Sequence, residues 1–250
     1  MYIAEIVYPG TWLDIEDREV AFEVEGMLRH LVDLVSEAAV TLTMFEQSHS
    51  VRQDPKAEWE RDATIRQEID EQLRSEVGDL HFRDFDKYHL ELDRRVKKRK
   101  AELGIAPRSY LHKIPFIHAH SFVYAVDSFG KFLEELCSYD VARKVVSDCR
   151  DEFNARLPSV RKIRNSALHM EDRSRRYASS QDKKQRKRME VNGFLGLSNL
   201  EGTNLCYTID DGSYQRISIS VETLTVLVEV ANKVLAAFPW RGPQQLEPHY

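Results

Sequence analysis

The sequence has 250 residues, of which 42% are hydrophobic and 31% charged, and its formal net charge is −5. This composition is typical of a soluble globular protein with a sizeable core, and the absence of any apolar run of about 18 residues argues against a transmembrane helix. The first residues do not resemble a signal peptide. The three cysteines, Cys137, Cys149 and Cys206, form no Cys-x-x-Cys pair, which argues against a disulfide framework and against a structural zinc site. Both observations predict a cytoplasmic protein.

The first half of the chain predicts three helices after an irregular or extended lead-in at residues 1–16. Apolar residues recur every three or four positions from about residue 17 to 47, which is the period of a helix with one buried face. A second helix is predicted at residues 55–77, because Asp54 can cap its first turn and a proline follows. A third helix contains the basic run of residues 94–100. Cations stabilise a helix C-terminus, and contact with nucleic acid is the alternative explanation of this run.

The middle of the chain, residues 110–138, is the most aromatic and apolar stretch and predicts a largely buried helix from about Pro115. His118 and His120 would point about 200° apart on this helix, which disfavours a shared metal ion. A metal-dependent enzyme built on these two histidines remains a third functional hypothesis. Another helix is predicted at residues 140–156, and the short connections favour antiparallel neighbours.

The helix predicted at residues 158–172 has an apolar and a polar side. Its apolar side carries Val160, Ile163, Ala167 and Met170. Its polar side carries Arg161, Asn165, His169 and Asp172. On a regular helix Arg164 would lie about 140° from His169. The two side chains could therefore meet only through the reach of the arginine, a local irregularity or a partner subunit.

The segment that follows, residues 173–192, is predicted to be a basic loop. Residues 173–188 hold eight basic side chains and one acidic, whereas residues 1–50 hold ten acidic and two basic. Cations beside the polar face would raise the local concentration of RNA, and a solvated linker is the alternative. The candidate RNA-binding residues are Arg173, Arg175, Arg176, Lys183, Lys184, Arg186, Lys187 and Arg188.

The C-terminal part predicts a β-hairpin, a last helix and a tail. Two strand-like runs within residues 204–220 flank an Asp-Gly pair, which is typical of a hairpin turn. Ser220 can cap the last helix, predicted at residues 221–238, and residues 239–250 form the tail. The predicted fold class is therefore all-α: an antiparallel helical bundle with a small β-hairpin before the last helix, in a single domain of residues 1–250.

The segment Arg164-Asn165-Ser-Ala-Leu-His169 resembles the signature of the HEPN superfamily, the "higher eukaryotes and prokaryotes nucleotide-binding" helical domains. That signature is an Arg, four to six intervening residues and a His, often with a polar residue directly after the Arg. The resemblance implies a bundle of four or five helices and a metal-independent endoribonuclease, often dimeric, acting as a toxin or antiviral-defence effector. Some HEPN toxins carry a Tyr two residues after the His, which a partner modifies. Glu171 occupies that position here, so this form of neutralisation is not expected.

The polar face offers the groups that RNA cleavage requires. Attack by the 2′-hydroxyl needs a base, an acid for the leaving 5′-oxygen and positive charge near the phosphate. The resemblance implies that His169 is the general acid or base, that Arg164 stabilises the phosphate and that Asn165 orients the phosphate or the imidazole. From the helix spacing, Arg161 could add a second cation and Asp172 could hold the imidazole ring. No metal or cofactor is required.

A second function stays open at this point. The same surface could belong to a non-catalytic helical module that binds RNA, a nucleotide or a protein. The expected partners are RNA, a second copy of the chain in a homodimer, and an antitoxin or regulatory protein, with no membrane involved.

Overall fold

The computed structural model describes residues 1–50, 54–78, 84–178, 187–191 and 193–248. Most of these residues are helical, which agrees with the predicted class. All-α is only approximate, however, because three small sheets occur in the described residues. In the same residues, no helix is both long and apolar enough to cross a bilayer. The chain, expected to be one domain, forms two compact units, residues 1–48 with 115–250 and residues 49–114.

The helices and strands alternate in long blocks along the chain. The helices are α1 (Arg18–Ser50), α2 (Pro55–Val77), α3 (Phe85–Glu102), α4 (Arg108–Leu111), α5 (Ile114–Leu136), α6 (Arg143–Arg156), α7 (Val160–Leu168), α8 (Met170–Ser174) and α9 (Val221–Ala237). The strands are β1 (Ile6–Tyr8), β2 (Trp12–Leu13), β3 (Asn199–Glu201), β4 (Asn204–Thr208), β5 (Tyr214–Ser218), β6 (Trp240–Arg241) and β7 (Gln245–Glu247). The long predicted helices are therefore present, apart from the one at residues 158–172.

The core of the larger unit is formed by the apolar faces of α1, α5, α6 and α9. On α1 the fully buried positions follow the three- and four-residue spacing that the sequence shows. They include Val24, Leu28, Leu31, Val35, Leu42 and Phe45. Helices α5 and α6 approach closely at Gly130, where an added Cβ would lie 2.7 Å from Cε1 of Phe153. A side chain at that position would therefore push the two helices apart.

The two ends of the chain pair with each other. Strand β1 is antiparallel to β7, and β2 is antiparallel to β6. The indole of Trp240 donates to the carbonyl of Leu235 at 2.8 Å, and the ring of Tyr8 meets it edge-on at 5.7 Å. The predicted tail at residues 239–250 thus contains two short strands, and residues near the other end of the chain supply their hydrogen-bonding partners.

The predicted hairpin is present and positions α7. Strands β4 and β5 pair from Asn204↔Ser218 to Thr208↔Tyr214, and β3 adds a third strand next to β4. Helix α7 packs against β4 and β5. On the same sheet, the buried hydroxyl of Tyr207 lies 2.6 Å from Nε2 of His120 on α5.

The described part of the smaller unit contains α2, α3 and α4. Asp54 caps α2 as predicted, since its Oδ1 accepts from the backbone N–H of Lys56 at 3.0 Å. The apolar faces of α2 and α3 form a small separate core. Its buried members are Ile65, Leu73, Tyr88, Leu92 and Val96.

Candidate functional site

The helix that carries the Arg-Asn-His motif ends at His169. The backbone N–H of His169 donates to the carbonyl of Asn165 at 3.0 Å, but its own φ of −110° and ψ of 41° are not helical, and α8 begins at the next residue. The prediction of one continuous helix to residue 172 is therefore wrong. The break turns Asp172 and Arg173 into the interior, where they are 4% and 1% exposed. A regular helical angle between Arg164 and His169 consequently does not apply.

Arg164 is held by a buried carboxylate on α5. Its Nε donates to Oδ2 of Asp127 at 2.7 Å, and its Nη2 lies 2.7 Å from the same oxygen. The side chain of Asp127 is 2% exposed and that of Arg164 is 15% exposed. The ring of Tyr124 lies 5.9 Å from the guanidinium carbon. The guanidinium that was expected to stabilise a phosphate is therefore fixed in position by groups of the protein itself.

Asp127 also binds two further cations. Nε of Arg161 donates to Oδ1 of Asp127 at 3.2 Å, and Nζ of Lys131 lies 3.2 Å from Oδ2. Nη1 of Arg161 donates to both carboxylate oxygens of Glu134 at 3.1 Å. Together with Arg164, this cluster holds three positive and two negative charges, which leaves one positive charge beside the motif.

Asn165 connects the arginine to the turn that ends at His169. Its Oδ1 accepts from Nη1 of Arg164 at 3.0 Å. Since the oxygen faces the guanidinium, the amide NH₂ faces away from it and is placed to donate elsewhere. A series of polar contacts therefore runs from the buried Asp127 through Arg164 to Asn165, one turn before His169.

The imidazole of His169 lies at the surface. Its side chain is 49% exposed, and its Nδ1 lies 3.8 Å from Oε1 of Glu171. Asp172, which was expected to hold the ring, is buried, and one of its carboxylate oxygens lies within 4.8 Å of ligand atoms of both His169 and Glu171. An exposed imidazole beside carboxylates can exchange a proton with a bound ligand.

The same three side chains are the only candidate metal group in the part of the chain that the structure describes. Zinc bonds of about 2.0–2.2 Å place its ligand atoms roughly 3–3.5 Å apart, so His169, Glu171 and Asp172 would have to move closer together to share an ion. The pair His118 and His120 is not part of this group. His120 lies instead within hydrogen-bonding distance of Tyr207.

Arg173, predicted to bind RNA, lies in the interior. Its Nε donates to Oγ of Ser166 at 3.2 Å and its Nη1 to the carbonyl of Tyr177 at 2.7 Å. Burial lowers the pKa of its guanidinium. The structure thus places Arg173 where it supports the end of α7, and its donors face protein groups instead of solvent.

The other described members of the basic segment are at the surface. Arg175, Arg176, Lys187 and Arg188 are exposed, and an antiparallel bridge joins Tyr177 to Arg188. This bridge brings the two ends of the segment together. The predicted RNA-binding residues Lys183, Lys184 and Arg186 lie outside the described residues.

Asp127, the carboxylate that joins this cluster, was not predicted from the sequence. A signal was present, since Asp127 is the only acidic residue among positions 114–133, a largely apolar and aromatic stretch. A carboxylate inside a buried helix requires a cation or several donors. Its partner could not be identified from the sequence, because several arginines were equally available.

No family model, curated protein or solved structure matches this chain. The resemblance to the HEPN superfamily therefore depends on the motif residues alone, and a function has to be inferred from the geometry of the site.

Proposed function

We propose that this chain is a metal-independent endoribonuclease of the HEPN type, acting as a toxin or antiviral-defence effector. One observation carries the proposal: an exposed imidazole at His169 follows, by one turn, an amide whose orientation is fixed by Arg164 and the buried Asp127. A proton-transfer group and oriented donors next to net positive charge are what cleavage of a phosphodiester by its own 2′-hydroxyl needs.

In the proposed reaction the 2′-oxygen attacks the adjacent phosphorus while the 5′-oxygen leaves. His169 takes the proton of the 2′-hydroxyl or gives a proton to the 5′-oxygen, and in a homodimer the two copies of His169 can divide these roles. The products are a 2′,3′-cyclic phosphate and a 5′-hydroxyl. Asn165 donates to a phosphate oxygen, and Arg164 with Arg161 supplies positive charge.

RNA would approach along the exposed cations at the two ends of the basic segment. Arg175, Arg176, Lys187 and Arg188 are exposed and can bind successive phosphates. We further propose that the protein acts in the cytoplasm, where its three free cysteines would stay reduced, and that an antitoxin or regulatory protein restrains it.

The test is cleavage of a fluorescently labelled RNA in the presence of EDTA. We expect His169→Ala to reduce cleavage by about 10²- to 10⁴-fold, the usual contribution of a general acid or base. His30→Ala is the matched control, because His30 is also exposed and its Nδ1 also lies 3.8 Å from a carboxylate, that of Asp33. Equal cleavage by both variants would reject the proposal, and loss of wild-type cleavage in EDTA would reject its metal independence.

The pairing of Arg164 favours a second candidate function. A guanidinium that is 15% exposed and bound to Asp127 has the environment of a structural ion pair. On this account the chain is a non-catalytic module that binds RNA, a nucleotide or a protein through the same surface. RNA binding that depends on Arg175 and Arg176, with no cleavage of any RNA tested, would support it.

A further inference from the structure

The smaller unit contains a cavity of about 540 Å³ between α2, the C-terminal end of α3 and the segment that contains α4. This volume falls within the range of about 300–1,000 Å³ that is common for small-molecule sites. Part of its wall is apolar and comes from Ala101, Ile105 and Leu111. The remainder is charged, and the charged side chains are Glu58, Arg61, Asp62, Lys97, Lys100 and Arg108.

Positive charge predominates around this cavity. Lys100 Nζ lies 2.8 Å from Oδ2 of Asp62, and Nη2 of Arg108 donates to Glu58 at 3.1 Å. Lys97 forms no salt bridge with any described residue. The four cations and two carboxylates that line the cavity leave a net charge of two positive. The basic run at residues 94–100 therefore supplies two lysines to a concave site, and the cavity suits an anion.

The carboxylate of Asp62 faces two cations at the cavity. Oδ1 of Asp62 is buried and, among the described residues, is the only buried side-chain polar atom without a hydrogen bond. Nη2 of Arg61 lies 3.5 Å from this oxygen, which is an ion-pair distance, so the charge of the oxygen is compensated although no hydrogen bond is formed. The hydrogen bond from Lys100 lowers the pKa of Asp62, so the carboxyl group is ionised and can only accept. The Asp62 side chain is 28% exposed although its Oδ1 is buried, so a hydroxyl or amine in the cavity would donate to Oδ2, which can accept a second hydrogen bond beside that of Lys100.

We propose that this cavity binds a ribonucleotide, with the phosphate near Lys97 and Arg61 and a ribose hydroxyl donating to Oδ2 of Asp62. The apolar wall at Ile105 would contact the base. Inorganic phosphate would make no contact with the apolar wall and could not donate a ribose-type hydroxyl to Asp62, and an uncharged sugar would leave the excess positive charge without a counter-charge. Carboxylates bind ribose hydroxyls in this way in nucleotide-binding folds. The proposal does not depend on the nuclease function, because every residue it uses belongs to the smaller unit.

The test is isothermal titration calorimetry of the full chain with the four ribonucleoside 5′-monophosphates. We expect at least one of them to bind, and its 2′,3′-dideoxy analogue, inorganic phosphate and the free nucleoside to bind more weakly. Lys97→Gln should weaken binding by about tenfold, the effect of losing one charge-assisted hydrogen bond. Lys98→Gln is the matched control, since Lys98 is an exposed lysine of the same run that does not line the cavity, and it should leave binding unchanged.

Several results would overturn this proposal. They are the absence of binding by all four nucleotides at millimolar concentration, equal effects of Lys97→Gln and Lys98→Gln, and phosphate binding as tight as nucleotide binding. Equal binding of the dideoxy analogue would mean that no ribose hydroxyl contacts Asp62. His169→Ala separates this site from the proposed nuclease site. Nucleotide binding should be unchanged in that variant, and its loss would locate the nucleotide at His169 instead.

Discussion

Replacement of Asp127 by asparagine tests the contact that organises the candidate nuclease site. Asp127 is 2% exposed and binds Arg161, Arg164 and Lys131, so an amide of the same size removes the shared counter-charge of three cations. Removal of one partner from a buried ion pair costs about 3–5 kcal/mol. Arg161 and Lys131 are 44% and 45% exposed and can turn to water, whereas Arg164, at 15%, cannot. We therefore expect a loss near the lower limit, about 3 kcal/mol.

Neighbouring variants should follow a definite order. Arg164→Met leaves Asp127 with two cations, so it should cost less than Asp127→Asn. Glu134→Gln is the matched control: Glu134 binds the same Arg161 but is 44% exposed, and an exposed ion pair contributes about 1 kcal/mol or less. The double variant Asp127→Asn with Arg164→Met should cost less than the sum of the two, because each removes the same ion pair.

The assay is urea unfolding followed by tryptophan fluorescence in a Trp59→Phe background. The chain has three tryptophans, and this change leaves only Trp12 and Trp240, both in the larger unit, so the signal reports the unit that contains Asp127. RNA cleavage by the same variants shows whether the cluster also supports activity. A loss of less than about 1 kcal/mol for Asp127→Asn, or an equal loss for Glu134→Gln, would refute the reasoning.

Two further predictions concern packing and the basic segment. Gly130→Ala introduces a Cβ 2.7 Å from Phe153 and should lower the free energy of unfolding by about 1–3 kcal/mol. Gly26→Ala has nothing within 4 Å of the new Cβ and should raise it by about 0.5–1 kcal/mol. Thermal unfolding measures both changes, and similar losses would contradict the packing argument. Arg173→Met removes two buried hydrogen bonds and should lower the free energy of unfolding by about 2 kcal/mol. Arg175→Met should change stability by less than about 0.5 kcal/mol but weaken RNA binding. Equal effects of the two variants on unfolding and on RNA affinity would show that Arg173 is not structural.

The long helices could be predicted because their signals are local. In α1 the buried positions from Val24 to Phe45 repeat at the helical period, and in α2 the cap at Asp54 lies directly before the proline. The hairpin of β4 and β5 was predictable for the same reason, since an Asp-Gly pair separates two strand-like runs. Such patterns involve residues a few positions apart, so they can be recognised without knowledge of the fold.

The site was only partly predictable. The sequence identified Arg164, Asn165 and His169 as neighbours on one segment, and the structure joins Arg164 to Asn165 directly. The sequence did not predict that the helix ends at His169, because helical periodicity continues through Met170 on the apolar side. Nor did it predict the burial of Arg173, since an arginine at the start of a basic run resembles its solvated neighbours.

The helices and the hairpin thus follow from the order of residues alone, because hydrophobic periodicity, caps and turns depend on neighbours in the chain. The tertiary structure was needed for contacts between distant residues. Arg164 meets Asp127 across 37 positions, and Ile6 of β1 pairs with Glu247 of β7. Several arginines could have neutralised Asp127, and several segments could have paired with β1. Packing of the whole core selects among them, since it fixes which helix faces and which strand edges come together.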